Sequence, residues 1–374
     1  MAGKRFKKSK KPKKIFIAAT RQNDGKTTVS LGLIAAFQKR YKAVGFIKPV
    51  GQRYLIQDGQ KVDEDSILIE ALCGIKDNLQ DMSPVAVEKG FTEKYIKHPK
   101  KSKLIKTIKN AFKNVSEAKD IVIIEGTGHA GVGSCFDLSN AMVAKMLDSK
   151  IILIASGGIG RPIDEILLNA ALFEKYGVEI AGIIVNKVMF EKYDKVNELV
   201  RKGLKRKGVE VLGVMPYQKL LSSPTVGEIS DELKIDFIYG RMNAHNTVNK
   251  ILVGAMQPHE AWNYIEEGSL IITPGDREDM ILMAMSSYLL SPKETSMIAG
   301  IVLTGGIMPH KRINNLIQRS GIPVLFANDD TYKVTSDIHD LVVKIKPNDT
   351  VKAEIAIKMV EEYVDIDLLI KKMA

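Results

Sequence analysis

Short apolar runs rich in β-branched residues recur along the chain, each followed by a longer stretch whose apolar positions return every three or four residues. That alternation predicts βα units, and strands apolar at successive positions are those buried on both faces of a parallel sheet. The predicted strands are Ile15–Ala19, Val44–Ile47, Ile121–Ile124, Ile151–Ala155, Ile180–Val185 and Val211–Val214, with helices near 26–40, 101–113, 138–147, 162–176 and 193–207. After Met215-Pro216 the alternation stops, and the polar, proline-bearing Leu221-Ser222-Ser223-Pro224 marks a boundary. A second series then predicts strands near Lys250–Val253, Ser269–Thr273, Ile298–Leu303 and Val324–Phe326, with helices near 277–289 and 310–319. Apolar positions from Val351 to Val360 and from Ile366 to Leu369 predict one or two closing helices. The expected organisation is a tail over 1–14, an α/β domain over 15–222, a smaller α/β domain over 223–340 and closing helices over 341–374.

Composition changes this picture little. The 374 residues exceed one ordinary domain. No run approaches the roughly 20 apolar residues of a membrane span, and no apolar signal core follows the N-terminal lysines, so a cytoplasmic protein with no membrane partner is expected. Cys73 and Cys135 are too few for a disulfide framework or a zinc cluster. Of the formal charge of +11, eight positives lie in residues 1–14, leaving +3 for the remainder. A lysine arm with only Phe6 for stacking reads as a disordered, solubilising tail, and nucleic acid is not expected as a partner.

The sharpest local signal is the apolar run Ile15–Ala19 followed by Thr20-Arg21-Gln22-Asn23-Asp24-Gly25-Lys26-Thr27-Thr28 and an apolar-faced helix. Strand, glycine-lysine-threonine turn and helix form the context of a P-loop. Backbone at Asn23, Asp24, Gly25, Lys26, Thr27 and Thr28 would hold phosphates, Lys26 would reach the terminal phosphates, and the Thr27 hydroxyl would ligate Mg²⁺. Thr20 stands where the usual pattern has its first glycine, so the loop is a variant. The buried strand Ile121–Ile124 then ends in Glu125 and a glycine-rich turn with Gly126, Gly128, Gly131 and Gly133. Glu125 is a candidate magnesium residue, and the glycines could admit an anionic substrate to the backbone; a plain helix-entry loop is the competing account.

This P-loop, with Ile47-Lys48-Pro49-Val50 closing the second strand, resembles dethiobiotin synthetase. The resemblance implies that Lys48 takes part in phosphate and substrate chemistry as a catalytic residue beside Lys26, and that Asp65 in Asp63-Glu64-Asp65 is a second acidic magnesium residue. It also implies that Asn186 in Val185-Asn186-Lys187 reads adenine. Simpler accounts stand beside these: a lysine before a turn-forming proline, acids at a helix start, a turn asparagine. No aspartate follows Asn186 at the spacing of guanine-specific proteins, so ATP with Mg²⁺ is the expected cofactor pair. Arg21 replaces the signature lysine of the related partition and cell-division ATPases.

Downstream, Thr273-Pro274-Gly275-Asp276-Arg277 and Thr304-Gly305-Gly306 each follow an apolar run. The pair resembles the DRTGG domain, found beside dethiobiotin-synthetase-like domains in the N-terminal region of long phosphotransacetylases. Asp276, Gly305 and Gly306 are thereby candidates for a second small ligand, with an N-cap and a tight turn as the structural alternative. The resemblances imply a P-loop NTPase domain with a mainly parallel sheet followed by a DRTGG-type α/β domain. Two functions remain open: a nucleotide-responsive regulatory module, homodimeric and working with a metabolic-enzyme partner and a small-molecule ligand, or an ATP-dependent carboxylase or ligase of the dethiobiotin synthetase type.

Overall fold

The computed structural model describes residues 11–290 and 297–373. The chain divides into two units, Met1–Gln218 with Ile345–Ala374, and Lys219–Lys344.

In the first unit the strands are β1 (Lys13–Ala19), β2 (Val44–Ile47), β3 (Tyr54–Gln57), β4 (Gln60–Asp63), β5 (Ile121–Glu125), β6 (Lys150–Ser156), β7 (Ile180–Val188) and β8 (Val211–Pro216). Six of them form a sheet in the order β2-β5-β1-β6-β7-β8, and every pair in it is parallel. Helices cover both faces, which is why strands such as β5 are apolar and buried at successive positions. Because all six strands point the same way, the loops after β1, β2, β5 and β7 gather at one carboxyl edge. Although β2 ends the sheet, all four of its residues are buried. Beyond its end the chain is tied to the segment that follows helix Glu64–Cys73, with Lys48 N donating to Met82 O at 2.8 Å and Gly51 N to Val85 O at 2.9 Å.

Two sequence expectations change. The closing helices, Thr350–Tyr363 and Ile366–Lys372, belong to the first unit rather than standing apart. Helix Thr350–Tyr363 lies on the helix after the P-loop, Lys26–Gln38, where a Cβ on Gly32 would come 2.4 Å from Val360 Cβ; only glycine lets the two helices approach so closely. Gly213 of β8 bridges Val364, and Asp365 N donates to Leu212 O at 2.8 Å. Lys13 and Lys14, expected in a tail over 1–14, instead open β1, paired with Ile121 and Val122, because their backbone completes the ladder while Lys14 Nζ reaches Leu147 O at 2.9 Å and Asp148 at 3.0 Å. The rest of that arm, residues 1–10, lies outside the described residues.

The second unit contains β9 (Asp236–Tyr239), β10 (Lys250–Val253), β11 (Ser269–Pro274), β12 (Ile298–Thr304) and β13 (Val324–Phe326), in the order β10-β11-β12-β13-β9. Four strands are parallel, and β9 runs antiparallel to β13. Helix Glu278–Leu290 buries Met280, Ile281 and Ala284 against one face, and helices Val226–Leu233 and Thr331–His339 cover the other with Val226, Ile229, Val334 and Ile338. Among the described residues no helix is long and apolar enough to cross a membrane.

Candidate nucleotide and metal site

The P-loop follows β1 at the carboxyl edge. Gly25 has φ 98°, in the left-handed region, and a Cβ there would come 2.2 Å from Asn186 Nδ2; only glycine satisfies both the turn and the space. The helix it opens, Lys26–Gln38, has no side-chain cap and no acid in its first turn, so its positive end is open to an anion. The loop is braced from inside. The buried Asp24 accepts from Thr20 Oγ1 and Arg21 N, both at 2.8 Å, and from Ser156 Oγ at the end of β6. Thr20, the variant position, thus supplies a side-chain hydrogen bond that glycine could not. Arg21 pairs with Glu165 at 2.9 Å.

Asn186 and Lys187 close the loop from the end of β7. Asn186 Nδ2 donates to Asp24 O at 2.9 Å, its Oδ1 accepts from Lys187 N at 2.8 Å, and Lys187 Nζ donates to Asn23 O at 2.7 Å. The Asn186 amide therefore already braces the P-loop backbone. Lys187 escaped the sequence reading, as did its left-handed backbone at φ 61°. Burial lowers the pKa of its ammonium, against the pull of Asp24.

Behind the loop, Lys48 follows β2, Glu125 ends β5, and a hairpin of β3 and β4 delivers Asp63 and Asp65. Asp63 caps helix Glu64–Cys73 by accepting from Asp65 N at 3.0 Å, which fixes both carboxylates. The Lys48 ammonium lies 3.2 Å from Asp63 Oδ1 and 3.6 Å from Glu125 Oε1, and it hydrogen-bonds Asp65 Oδ2. Thr27 Oγ1 is 3.2 Å from Asp65 Oδ1 and 3.4 Å from Glu125 Oε1, and Ser30 Oγ donates to Glu125 Oε2 at 2.6 Å. Lys26, Thr27, Lys48, Asp65 and Glu125 thus gather at one edge, as the sequence grouped them. Asp63 and Ser30 join them; Ser30, three residues after Thr27 on the same helix face, was legible from spacing alone.

The electrostatics follow from enclosure. Burial would push Lys48 down, but Asp65, Asp63 and Glu125 outweigh it and hold the ammonium well above its ordinary pKa. Burial lowers Lys26, with Glu125 pulling the other way. Glu125 is pushed up to about 7, first by complete burial and then by the charge of Asp65, against Lys48, Ser30 and Lys26. Thr27, Asp65 and Glu125 offer only oxygen, the donor Mg²⁺ prefers, and an ion bound through one or two carboxylates takes its other ligands from water and phosphate. Among the described residues no cluster of three or more His, Cys, Asp or Glu forms a metal cage.

The glycine turn after Glu125 is partly architectural: a Cβ on Gly126 would meet Phe16 at 2.5 Å, and one on Gly133 the carbonyl of Leu138 at 2.3 Å, whereas Gly131 has room. In the second unit Gly305 N donates to Asp329 O at 2.8 Å and Gly306 N to Ala327 O at 3.0 Å. A Cβ on Gly275 would lie 1.7 Å from Ile307 O, and Arg277 donates to Gly254 O and Met256 O at 2.9 and 3.0 Å. Asp276 is exposed.

A parallel α/β sheet whose first strand feeds a glycine-lysine-threonine loop, with an acidic strand end beside it, defines a P-loop NTPase-like domain. The family model AAA_26, described as an AAA domain, matches residues 13–225, and the chain belongs to that family. The DRTGG domain model matches residues 228–341. The chain is 27% identical over 363 residues to a phosphate acetyltransferase of Nitratidesulfovibrio vulgaris, covering 94% of this chain and 50% of that protein. It is also 27% identical over 369 residues to one of Pseudomonas putida, with 94% and 50% covered. It therefore spans about half the length of these relatives, which fits the N-terminal region of long phosphotransacetylases. Among solved structures, a plasmid partition protein of Borrelia burgdorferi bound to AMPPNP aligns at 14% identity and TM-score 0.37, covering 56% of this chain and 89% of that one. The CBS and DRTGG domains of the regulatory region of Clostridium perfringens pyrophosphatase, complexed with diadenosine tetraphosphate, align at 16% and 0.28, covering 44% and 82%. These structural likenesses are too slight to carry a reading of this chain.

Proposed function

We propose that this chain is a Mg-ATP-binding regulatory module related to the N-terminal region of long phosphotransacetylases. The observation that carries the nucleotide reading is the meeting of Lys26, Thr27, Lys48, Asp65 and Glu125 at the open end of helix Lys26–Gln38. In this reading the P-loop backbone and Lys26 hold the phosphates, while Thr27, Glu125 and Asp65 hold Mg²⁺, which neutralises phosphate charge. Lys48, surrounded by three carboxylates, keeps them compensated before the ion arrives. The regulatory reading is supported by the extent of the likeness, which takes in both units and about half of each phosphate acetyltransferase relative.

A second reading, an ATP-dependent ligase of the dethiobiotin synthetase type, draws support from Lys48: a cation beside the P-loop would stabilise charge on a transferred phosphoryl group. Calorimetry with Mg-ATP and Mg-GTP, and phosphate release measured in parallel, tests the proposal. Tighter binding of ATP without substrate-stimulated turnover is expected, and Glu125→Gln should weaken the magnesium dependence by about tenfold or more while leaving the fold intact. Unchanged magnesium titration in that variant removes Glu125 from the site, and turnover stimulated by a small carboxylate or diamino compound favours the ligase.

A further inference from the structure

The nearly balanced body hides a segregated charge. Residues 89–113 hold nine lysines and one carboxylate, Glu93, so they alone carry +8; outside this segment and residues 1–14 the chain has net charge −5. All nine lysines are exposed. The ion pairs nearest in sequence are Lys61–Glu88 and Lys119–Asp77, and among the described residues none of the nine enters one. Five of them lie on helix Lys101–Ser116, which buries Ile108, Ala111 and Val115 and has no acid in its first turn and no side-chain cap.

This arrangement works against the helix. Lys101 and Lys103 sit at its positive end, where carboxylates are favoured. Lys103, Lys106 and Lys109 follow one another at three-residue spacing, and Lys113 follows four residues later, so like charges are neighbours. Local rules broken together without a compensating contact mark a functional surface.

We propose that this face binds the phosphodiester backbone of nucleic acid without reading its sequence. A 16-residue helix is about 24 Å long, too extended for a single small anion. The segment has no arginine, so it lacks the fork that reads carboxylates or guanine bidentately; lysine suits point contacts to successive phosphates. The apolar side of the helix is buried in the fold, which leaves no face to insert into lipid.

Fluorescence anisotropy of the full chain with labelled single-stranded and duplex oligonucleotides of about 20 units, titrated with salt, tests this. The variant Lys103→Glu/Lys106→Glu/Lys109→Glu is compared with Lys195→Glu/Lys202→Glu/Lys205→Glu, which makes the same charge change at exposed positions on helix Tyr193–Lys205, and with Lys7→Gln/Lys8→Gln/Lys10→Gln/Lys11→Gln in the N-terminal arm. The first variant is expected to lose about tenfold or more in affinity near 0.1 M salt and to flatten the slope of log K against log salt by about 2–3 on duplex, with much smaller changes in the other two. Absence of oligonucleotide binding, equal losses in the first two variants, or loss confined to the arm variant overturns the proposal. So does binding that is found only with phosphatidylserine vesicles or polyglutamate.

Discussion

The two units use the same device, a parallel sheet whose loops gather at one edge, for opposite ends. In the first, that edge collects buried ionisable groups: Lys48, Asp63, Asp65 and Glu125 sit within 3.6 Å contacts, beneath a helix start that lacks a cap. In the second, the glycine N–H groups and the arginine of the motif are taken up by neighbouring backbone carbonyls. Gly305 and Gly306 give their N–H groups to neighbouring carbonyls, Gly275 makes room for Ile307, and Arg277 is occupied by two backbone carbonyls and Asp279. A glycine-rich strand end is therefore equally good material for a ligand cradle and for loop packing. The buried ionisable groups at the first edge separate the two.

The largest effect is expected where buried charge is densest. Lys48→Ala leaves three buried carboxylates without their shared cation and should cost about 3–5 kcal/mol in chemical denaturation, with millimolar Mg²⁺ restoring part of it. A small loss, indifferent to magnesium, would mean the carboxylates are compensated in another way. In the second unit the sensitivity should be to volume rather than to charge. Gly275→Ala drives a methyl into Ile307 O and should cost about 1–3 kcal/mol while leaving nucleotide affinity unchanged. Thermal melts with and without ATP check both halves of that statement. Least of all should Thr273→Val matter: the Thr273 hydroxyl is buried and has no hydrogen-bond partner among the described residues, so removing it should be neutral within about 1 kcal/mol or stabilising. A loss well beyond that would reveal an unseen partner and bring the second unit closer to the first.

Much of this was legible in the sequence, for a physical reason. Strands buried on both faces must be apolar at successive residues, and β2, buried throughout, falls on the run that predicted it, as do β10 and β13. The hairpin of β3 and β4 was missed because its strands are four residues each and mix exposed apolar Leu55 and Ile56 with buried Asp63, which leaves no regular alternation, although Asp58-Gly59, both with positive φ, is the turn such a hairpin needs. That hairpin is what carries Asp63 and Asp65 to Lys48. Strand β9 lies at an edge with one residue exposed and three half-buried, and so leaves a weak pattern. The return of helix Thr350–Tyr363 to the first unit was not legible, since an amphipathic helix states that it has a partner and not which one; Gly32, within the predicted P-loop helix, was the unread half of that contact.

The contrast between an edge of buried charge and one taken up by backbone carbonyls is tested most directly by titrating Mg-ATP calorimetrically into the full chain and into two variants, Lys26→Ala and Asp276→Ala. Lys26→Ala should weaken binding by about 100-fold, a loss of about 2.7 kcal/mol, while Asp276→Ala stays within about twofold of the parent. Binding by Lys26→Ala equal to the parent, or loss confined to Asp276→Ala, would contradict the account.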